Sequence, residues 1–232
     1  MWTLLLSAAL AGPPCEVTSP TAAARIPAPA ILVLGERKGH HPDLLRAERL
    51  VVKLAKSQPV TVALEAIHRD HQGIIDRYED GDLSPTDLPD LLTWSTYWGF
   101  DYWRYERLVT SSVVGASVLA VGLDPGLRPE DARLPIPPGY IHVLGDALGH
   151  PLPVELESRF LQTVAWRDHA IARTAIDGWD GEGFLVILAD RLHVEGGLGI
   201  SWQASRMTEA PVHAFVLANA GSPCYDGDKL FR

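Results

Sequence analysis

The sequence predicts an α/β protein: a mainly parallel sheet flanked by helices, with a small helical lobe inserted. Three observations predict it. Short apolar runs (Ile31–Leu34, Val60–Leu64, Ser117–Leu123 and Phe184–Ala189) largely lack the alternation of a half-exposed strand and read as strands covered on both faces. Helical patterns separate these runs, as the crossovers between parallel strands require. Each run is followed at or near its end by an acidic residue, Glu36, Glu65, Asp124 or Asp190, with His193 three residues beyond the last. Parallel strands place their carboxyl ends on one edge, where open α/β sheets bind ligands, so these groups are expected to converge there.

The elements follow in order. Met1 to Ala11 reads as a short apolar leader ending in the small-x-small form Ala9-Leu10-Ala11, and it sets the expectation of an exported protein, periplasmic or membrane-attached. Residues 12–29, rich in Pro, Ala and Thr, read as a solvated linker. The two cysteines, Cys15 and Cys224, leave three readings open: a disulfide joining the termini, a lipid on Cys15, or two free thiols. The folded domain is expected over residues 30–220. After the first strand, Arg37 to Asp43 is polar and turn-forming. It places His40 and His41 on the ligand edge, with Asp43 as N-cap of a helix marked by Leu44, Leu50 and Leu54.

Beyond Glu65 a helix is expected to about Tyr78, and another with Ser84 as N-cap and Pro85 at its first position. Residues 67–110 carry no strand signal and form the expected lobe. Seven aromatic residues crowd Trp94 to Tyr105. They serve either as the lobe's own core or as a wall for a flat, apolar ligand with a polar rim, and Tyr97, Tyr102 and Tyr105 each have a hydroxyl to satisfy. The Pro-rich connection from Asp124 to Pro153, holding His142 and His150, is long enough to be a lid or binding loop. Val154 to Ile176 is the longest helical pattern, and its triplet Arg167-Asp168-His169 reads as a solvated face. Asp190 to Ile200 is a glycine-dense loop without phosphate-cradling spacing, Val212–Leu217 is a final strand, and residues 221–232 form a polar tail.

Composition bounds the function. A chain of 232 residues, 47% hydrophobic, buries one sizeable core. The net charge of −9 and scattered basic residues argue against nucleic acid as a partner. Glu36, Glu65 and His193, brought from three strand ends, suit general acid/base chemistry or a divalent metal. No HExxH or GxSxG motif is present, and neither cysteine lies on the ligand edge.

Leu34-Gly35-Glu36, Ala63-Leu64-Glu65, Arg69-Asp70-His71-Gln72, Gly81-Asp82-Leu83-Ser84, Trp98-Gly99, Arg167-Asp168 and His193-Val194 with Gly199-Ile200 occur in an order that resembles the ChaN-like family. This is a haem-binding, iron-uptake-associated branch of the superfamily that includes the Tiki and TraB proteins and the erythromycin esterases. The resemblance spans about residues 30–220 and implies haem as ligand, a location in the bacterial envelope, a homodimer sandwiching the cofactor, and an outer-membrane receptor among possible partners. Glu36, Glu65 and His193 carry over onto the family's pattern. His40, His41 and Tyr102 are the expected cofactor contacts, with the iron ligand left open among the tyrosines and histidines.

Members usually show Gly-Glu-x-His at the first strand end, where this chain has Lys38. A protonated ammonium cannot ligate a metal, so a divalent ion is expected only if His40 or His41 substitutes. The alternatives to haem binding are a hydrolase using Glu36, Glu65 and His193 to activate water, and a degenerate domain that only binds a partner.

Overall fold

The computed structural model describes residues 16–124, 133–148, 154–218 and 229–231. In chain order the elements begin β1 (Glu16–Thr18), α1 (Pro20–Ala23), β2 (Ala30–Glu36), α2 (His41–Ala55) and β3 (Val60–His68). The lobe follows as α3 (Gln72–Glu79), α4 (Leu88–Leu91), α5 (Trp94–Tyr97) and α6 (Glu106–Val109). The chain continues through β4 (Ala116–Gly122), α7 (Tyr140–Leu148), α8 (Val154–Asp177), β5 (Phe184–Asp190), α9 (Ile200–Ala204), β6 (Val212–Leu217) and β7 (Lys229–Phe231). The strands form one sheet in the order β1-β7-β6-β2-β5-β3-β4, and every pairing is parallel. The structure is therefore α/β with an inserted helical lobe, as the strand–helix alternation implies.

β2 is buried along its whole length because it lies in the middle of the sheet with helices on both faces. Its residues divide by parity. Leu32 and Leu34 pack with Leu44, Leu50 and Leu54 of α2 and with the lobe, whereas Ile31 and Val33 pack with Ile171 and Ala175 of α8. Each fully buried side chain of this size contributes on the order of 1.5–3 kcal/mol. The lobe is continuous with the first of these cores, since Trp94, Tyr105, Leu88 and Leu92 are buried in it. Rings tilt against one another there: Trp94 meets Tyr102 at 5.3 Å between centroids and Tyr105 at 5.2 Å. Much of the aromatic cluster is thus core, as a short segment with few other large apolar residues requires.

Four expectations are corrected. Residues 16–23 are not a solvated linker. β1 pairs in register with β7, Glu16 beside Lys229, and Ala23 enters the core. Two three-residue segments from opposite ends of the chain make strands only by pairing, so neither is long enough to show in its own composition. Asp43 is not an N-cap; α2 is capped at His40, and the buried Asp43 carboxylate accepts from the Arg37 backbone N–H and guanidinium. Ser84 does not start a helix at Pro85 either. Its N–H donates to Asp87 Oδ2 in a turn, and α4 begins at Leu88. Finally, β3 runs past Glu65 to His68, and a 3₁₀ turn over Arg69–His71 precedes α3. Among the described residues no helix is long and apolar enough to cross a membrane. The leader, Cys15, Cys224, His150 and much of the Asp124–Pro153 connection lie outside the described residues.

Candidate functional site

Glu36 is the last residue of β2 and stands in register with Asp190 at the end of β5. One strand further across, the β3–β4 register shifts between Leu64 and His68, an irregularity that frees Glu65 from regular pairing. Such an irregularity at a strand end re-aims a side chain. Glu36 shares the parity of Leu34 and meets the lobe, where Tyr105 donates its hydroxyl to Glu36 Oε1. Glu65 shares the parity of Ala63 and lies toward α8 and the loop after β5, where His193 Nε2 stands 4.0 Å from Glu65 Oε1.

Between them sits Lys38. Its ammonium donates to Glu65 Oε2 at 2.6 Å, and the Asp190 backbone N–H donates to the same oxygen at 2.8 Å. Lys38 Nζ also lies 5.1 Å from the centroid of Trp98. The residue that departs from the Gly-Glu-x-His pattern thus supplies the cation among three carboxylates.

His193 is held from its other side. Its Nδ1 lies 2.6 Å from Asp168 Oδ1, and Tyr140 donates its hydroxyl to Asp168 Oδ2 at 2.7 Å. Asp168 is fully buried. An imidazole with one nitrogen committed to a buried carboxylate has a set orientation, which leaves Nε2 on the Glu65 side. Two glycines make this packing possible. A Cβ on Gly35 would come within 2.9 Å of Val194 Cβ, and one on Gly199, whose φ is +67°, would come within 2.3 Å of the His193 carbonyl oxygen. The glycine-dense loop therefore lets the chain approach itself.

The protonation states differ sharply across this cluster. Burial pushes Glu36 up to about 8, against the opposing pull of Lys38 and the Tyr105 hydroxyl. At Glu65 burial also acts to raise the pKa, yet Lys38, His193 and the hydrogen bonds from Lys38 and Asp190 outweigh it and bring it down to about 2. Burial lowers and Asp168, Glu65 and Asp190 raise the His193 pKa, with the net direction upward. Lys38 is likewise raised, because its carboxylate neighbours exceed the cost of burial. Near neutrality the site holds an anionic Glu65, cationic Lys38, a His193 that favours its proton, and a Glu36 that titrates close to neutral pH.

The remaining predicted residues fall elsewhere. His40 Nδ1 contacts the Arg37 guanidinium at 2.9 Å and Asp43 at 3.1 Å. His41 opens α2 and packs its ring edge-on to Trp103 at 4.8 Å. Tyr102 packs on Trp94, and its buried hydroxyl has no partner; burial pushes its pKa well up. Asp190 Oδ1 accepts from the Leu192 N–H and so caps the following 3₁₀ turn.

A second group, which the sequence reading did not single out as a unit, lies beside Glu65. His68, His71 and Tyr97 form a ring triangle with centroid distances of 6.0, 6.1 and 6.3 Å. Tyr97 is 47% exposed, and His68 Nε2 is buried without a partner. Glu65, His68, Tyr97, Trp98 and Arg167 line a cleft of about 100 Å³ there.

Asp168, Tyr140 and Tyr105 are the site residues that sequence reading missed. For Asp168 a signal existed. It lies four residues after Val164 and three before Ile171, on the stripe of α8 that packs inward, so the reading of Arg167-Asp168-His169 as a solvated face is corrected for its middle residue. No local pattern marks Tyr105 or Tyr140, whose partners are 69 and 28 residues away.

Fold and site together define an α/β protein with a buried acid–base cluster at the carboxyl edge of a parallel sheet, roofed by an aromatic lobe. The sequence profile of the family described as haem-binding uptake, Tiki superfamily, ChaN, matches residues 22–127. Over that stretch, a little under half of its length, the chain is similar to this family. The ChaN protein of Campylobacter jejuni, whose solved structure concerns cofacial haem binding, is similar to it with a TM-score of 0.63, 18% identity, and 86% of each chain covered. The type III effector HopBA1 is similar at a TM-score of 0.49 and 14% identity over 87% of both chains. The RRSP effector domain of a Vibrio vulnificus MARTX toxin is similar at 0.47 and 17%, over 82% of this chain and 33% of that one. No curated protein matches the chain.

Proposed function

We propose that the chain binds haem as cargo at the rim formed by Tyr97, His68 and His71. The match of residues 22–127 to a family described as haem-binding supports the ligand, and the ring triangle beside Glu65 carries the placement. The fit rests on two features of these residues. His68 Nε2 is a buried nitrogen with no hydrogen-bond partner, and Tyr97 presents an exposed phenol stacked on His68 with an interplanar angle of 10°. Phenolate and imidazole are both ligands of haem iron.

The adjoining cleft is far smaller than a porphyrin. Only an edge of the macrocycle enters it, and one face is left for a second copy of the chain, in keeping with the cofacial haem of the Campylobacter protein. Arg167, which donates to the Leu123 and Asp124 carbonyls, offers a guanidinium at that edge for a propionate. In this reading the protein serves iron uptake in the bacterial envelope, exported and periplasmic or membrane-attached. Hemin titration tests it. A saturable Soret shift that Tyr97→Phe and His68→Ala weaken is expected, and a spectrum identical to that of free hemin overturns the proposal.

A second reading is favoured by one observation, the Asp168–His193 pair facing Glu65. The arrangement suits hydrolysis of an ester or amide: water adds to the carbonyl carbon and gives its proton to the ionised form of Glu36, the bond from the acyl carbon to the leaving oxygen or nitrogen breaks, and His193 gives its proton to the leaving group. Glu65, held as an anion, would orient Lys38 and His193 and would be a poor base. Assays on a set of simple esters should show turnover that His193→Ala abolishes and Glu36→Gln shifts in pH profile. Rates equal to those of the His193→Ala/Glu36→Gln double variant end this reading.

A further inference from the structure

Residues of α4, α5 and 98–103 line a groove of about 370 Å³. Trp94, Trp98, Phe100, Tyr102 and Trp103 line it, and its charged lining residues are Asp90 and Asp101. Trp98 and Phe100 stack at 26° with 5.6 Å between centroids, and Trp94 is tilted against both. Trp94, largely buried beneath the groove, stands at 74° to Phe100, 83° to Tyr102 and 48° to Trp98. Trp94 is fixed in place by donating its indole N–H to the Phe100 carbonyl.

Both carboxylates are exposed and neither is ion-paired among the described residues; Asp101 accepts only from the Trp103 indole N–H. Two of the rings already accept protein cations: Trp98 lies under Lys38, and Trp103 lies 5.6 Å from the Arg104 guanidinium.

We propose that this groove is a binding site for a small organic cation of the quaternary ammonium class. Ring faces attract a cation through their quadrupole. The attraction is largest for weakly hydrated cations that lose little on leaving water. A trimethylammonium group fits that description, whereas a primary ammonium keeps its hydration shell. The two unpaired aspartates add charge complementarity that a neutral ligand cannot use, and the volume falls within the usual range for small-molecule sites. The groove adjoins the cleft beside Tyr97 and His68, sharing Trp98 with it, and the inference does not depend on haem binding there.

Tryptophan fluorescence titration with choline chloride, compared with its neutral isostere 3,3-dimethylbutan-1-ol, tests the proposal. Choline should give a saturable change and bind at least about tenfold more tightly than the alcohol. The Asp90→Asn/Asp101→Asn variant should reduce that preference to about twofold or less, and Trp103→Ala, at a ring that is 51% exposed and therefore safe for folding, should weaken choline about tenfold. Equal affinity for the alcohol, a preference unchanged in the double variant, or no saturation overturns the proposal. Displacement of choline by stoichiometric hemin also overturns it, because the groove would then belong to the porphyrin.

Discussion

Glu36 and Glu65 lie toward the carboxyl ends of strands separated only by β5, share one ammonium neighbour, and are both buried, yet they hold opposite preferences for a proton. Glu36 is pushed up to about 8 and Glu65 brought down to about 2. The difference lies in who donates to them. Glu65 Oε2 receives the Lys38 ammonium and a backbone N–H, and His193 faces its other oxygen. Glu36 receives one neutral hydroxyl, and its Oε2 is buried with no partner. Burial alone protonates a carboxyl group; burial with a directly bonded cation ionises it. One parallel edge therefore presents an acid and an anion side by side, an arrangement by which two like residues can take different chemical roles.

The comparison can be broken most severely at Lys38. Lys38→Met leaves Glu65 and its neighbours without their cation, and chemical denaturation at pH 7 should show a loss of about 3–5 kcal/mol. Adding Glu65→Gln should recover a large part of that loss, since removing both partners avoids an unpaired buried charge; strict additivity of the two changes would refute the pairing. Next in size is Asp168→Asn. It should cost about 1–3 kcal/mol and bring the His193 titration, followed by imidazole NMR, down toward or below the ordinary histidine value. Tyr105→Phe removes the donor that partly lowers Glu36, so the Glu36 carboxyl should titrate higher still, at a stability cost of about 1 kcal/mol.

Glu36→Gln should have the smallest effect at pH 6, below about 1 kcal/mol, because the amide resembles the protonated acid and still accepts from Tyr105. Its signature lies in the pH dependence. Between 4.5 and about 8 the unfolded chain releases the Glu36 proton while the folded chain keeps it, so this group's contribution falls as pH rises, by up to about 1.4 kcal/mol per pH unit. The variant should lack that fall. Glu65 acts in the reverse sense: its contribution is present above 4.5 and is lost as pH drops toward about 2.

Much of this edge was legible because it depends on alternation and strand ends. Unbroken apolar runs separated by helical patterns require parallel strands, and parallel strands bring Glu36, Glu65, Asp190 and the His193 loop to one side. Asp168 could have been found from its place on the inward stripe of α8. The β1–β7 pair could not, because each partner is three residues long and the two come from opposite ends of the chain. Lys38 is a different case. As a residue type it argues against a metal, and only its contact with Glu65, 27 residues away, makes it the cation that sets the site's charge.

The sequence by itself determined the layered α/β architecture and the set of side chains delivered to the carboxyl edge, because both follow from the local period of apolar residues and from where each run stops. Only the tertiary structure decided which carboxylate holds a proton, which loop histidines are committed to other partners, and which aromatic rings are core and which line a groove. Those outcomes depend on burial and on donors contributed from distant points of the chain, and neither quantity is encoded in any short stretch of residues.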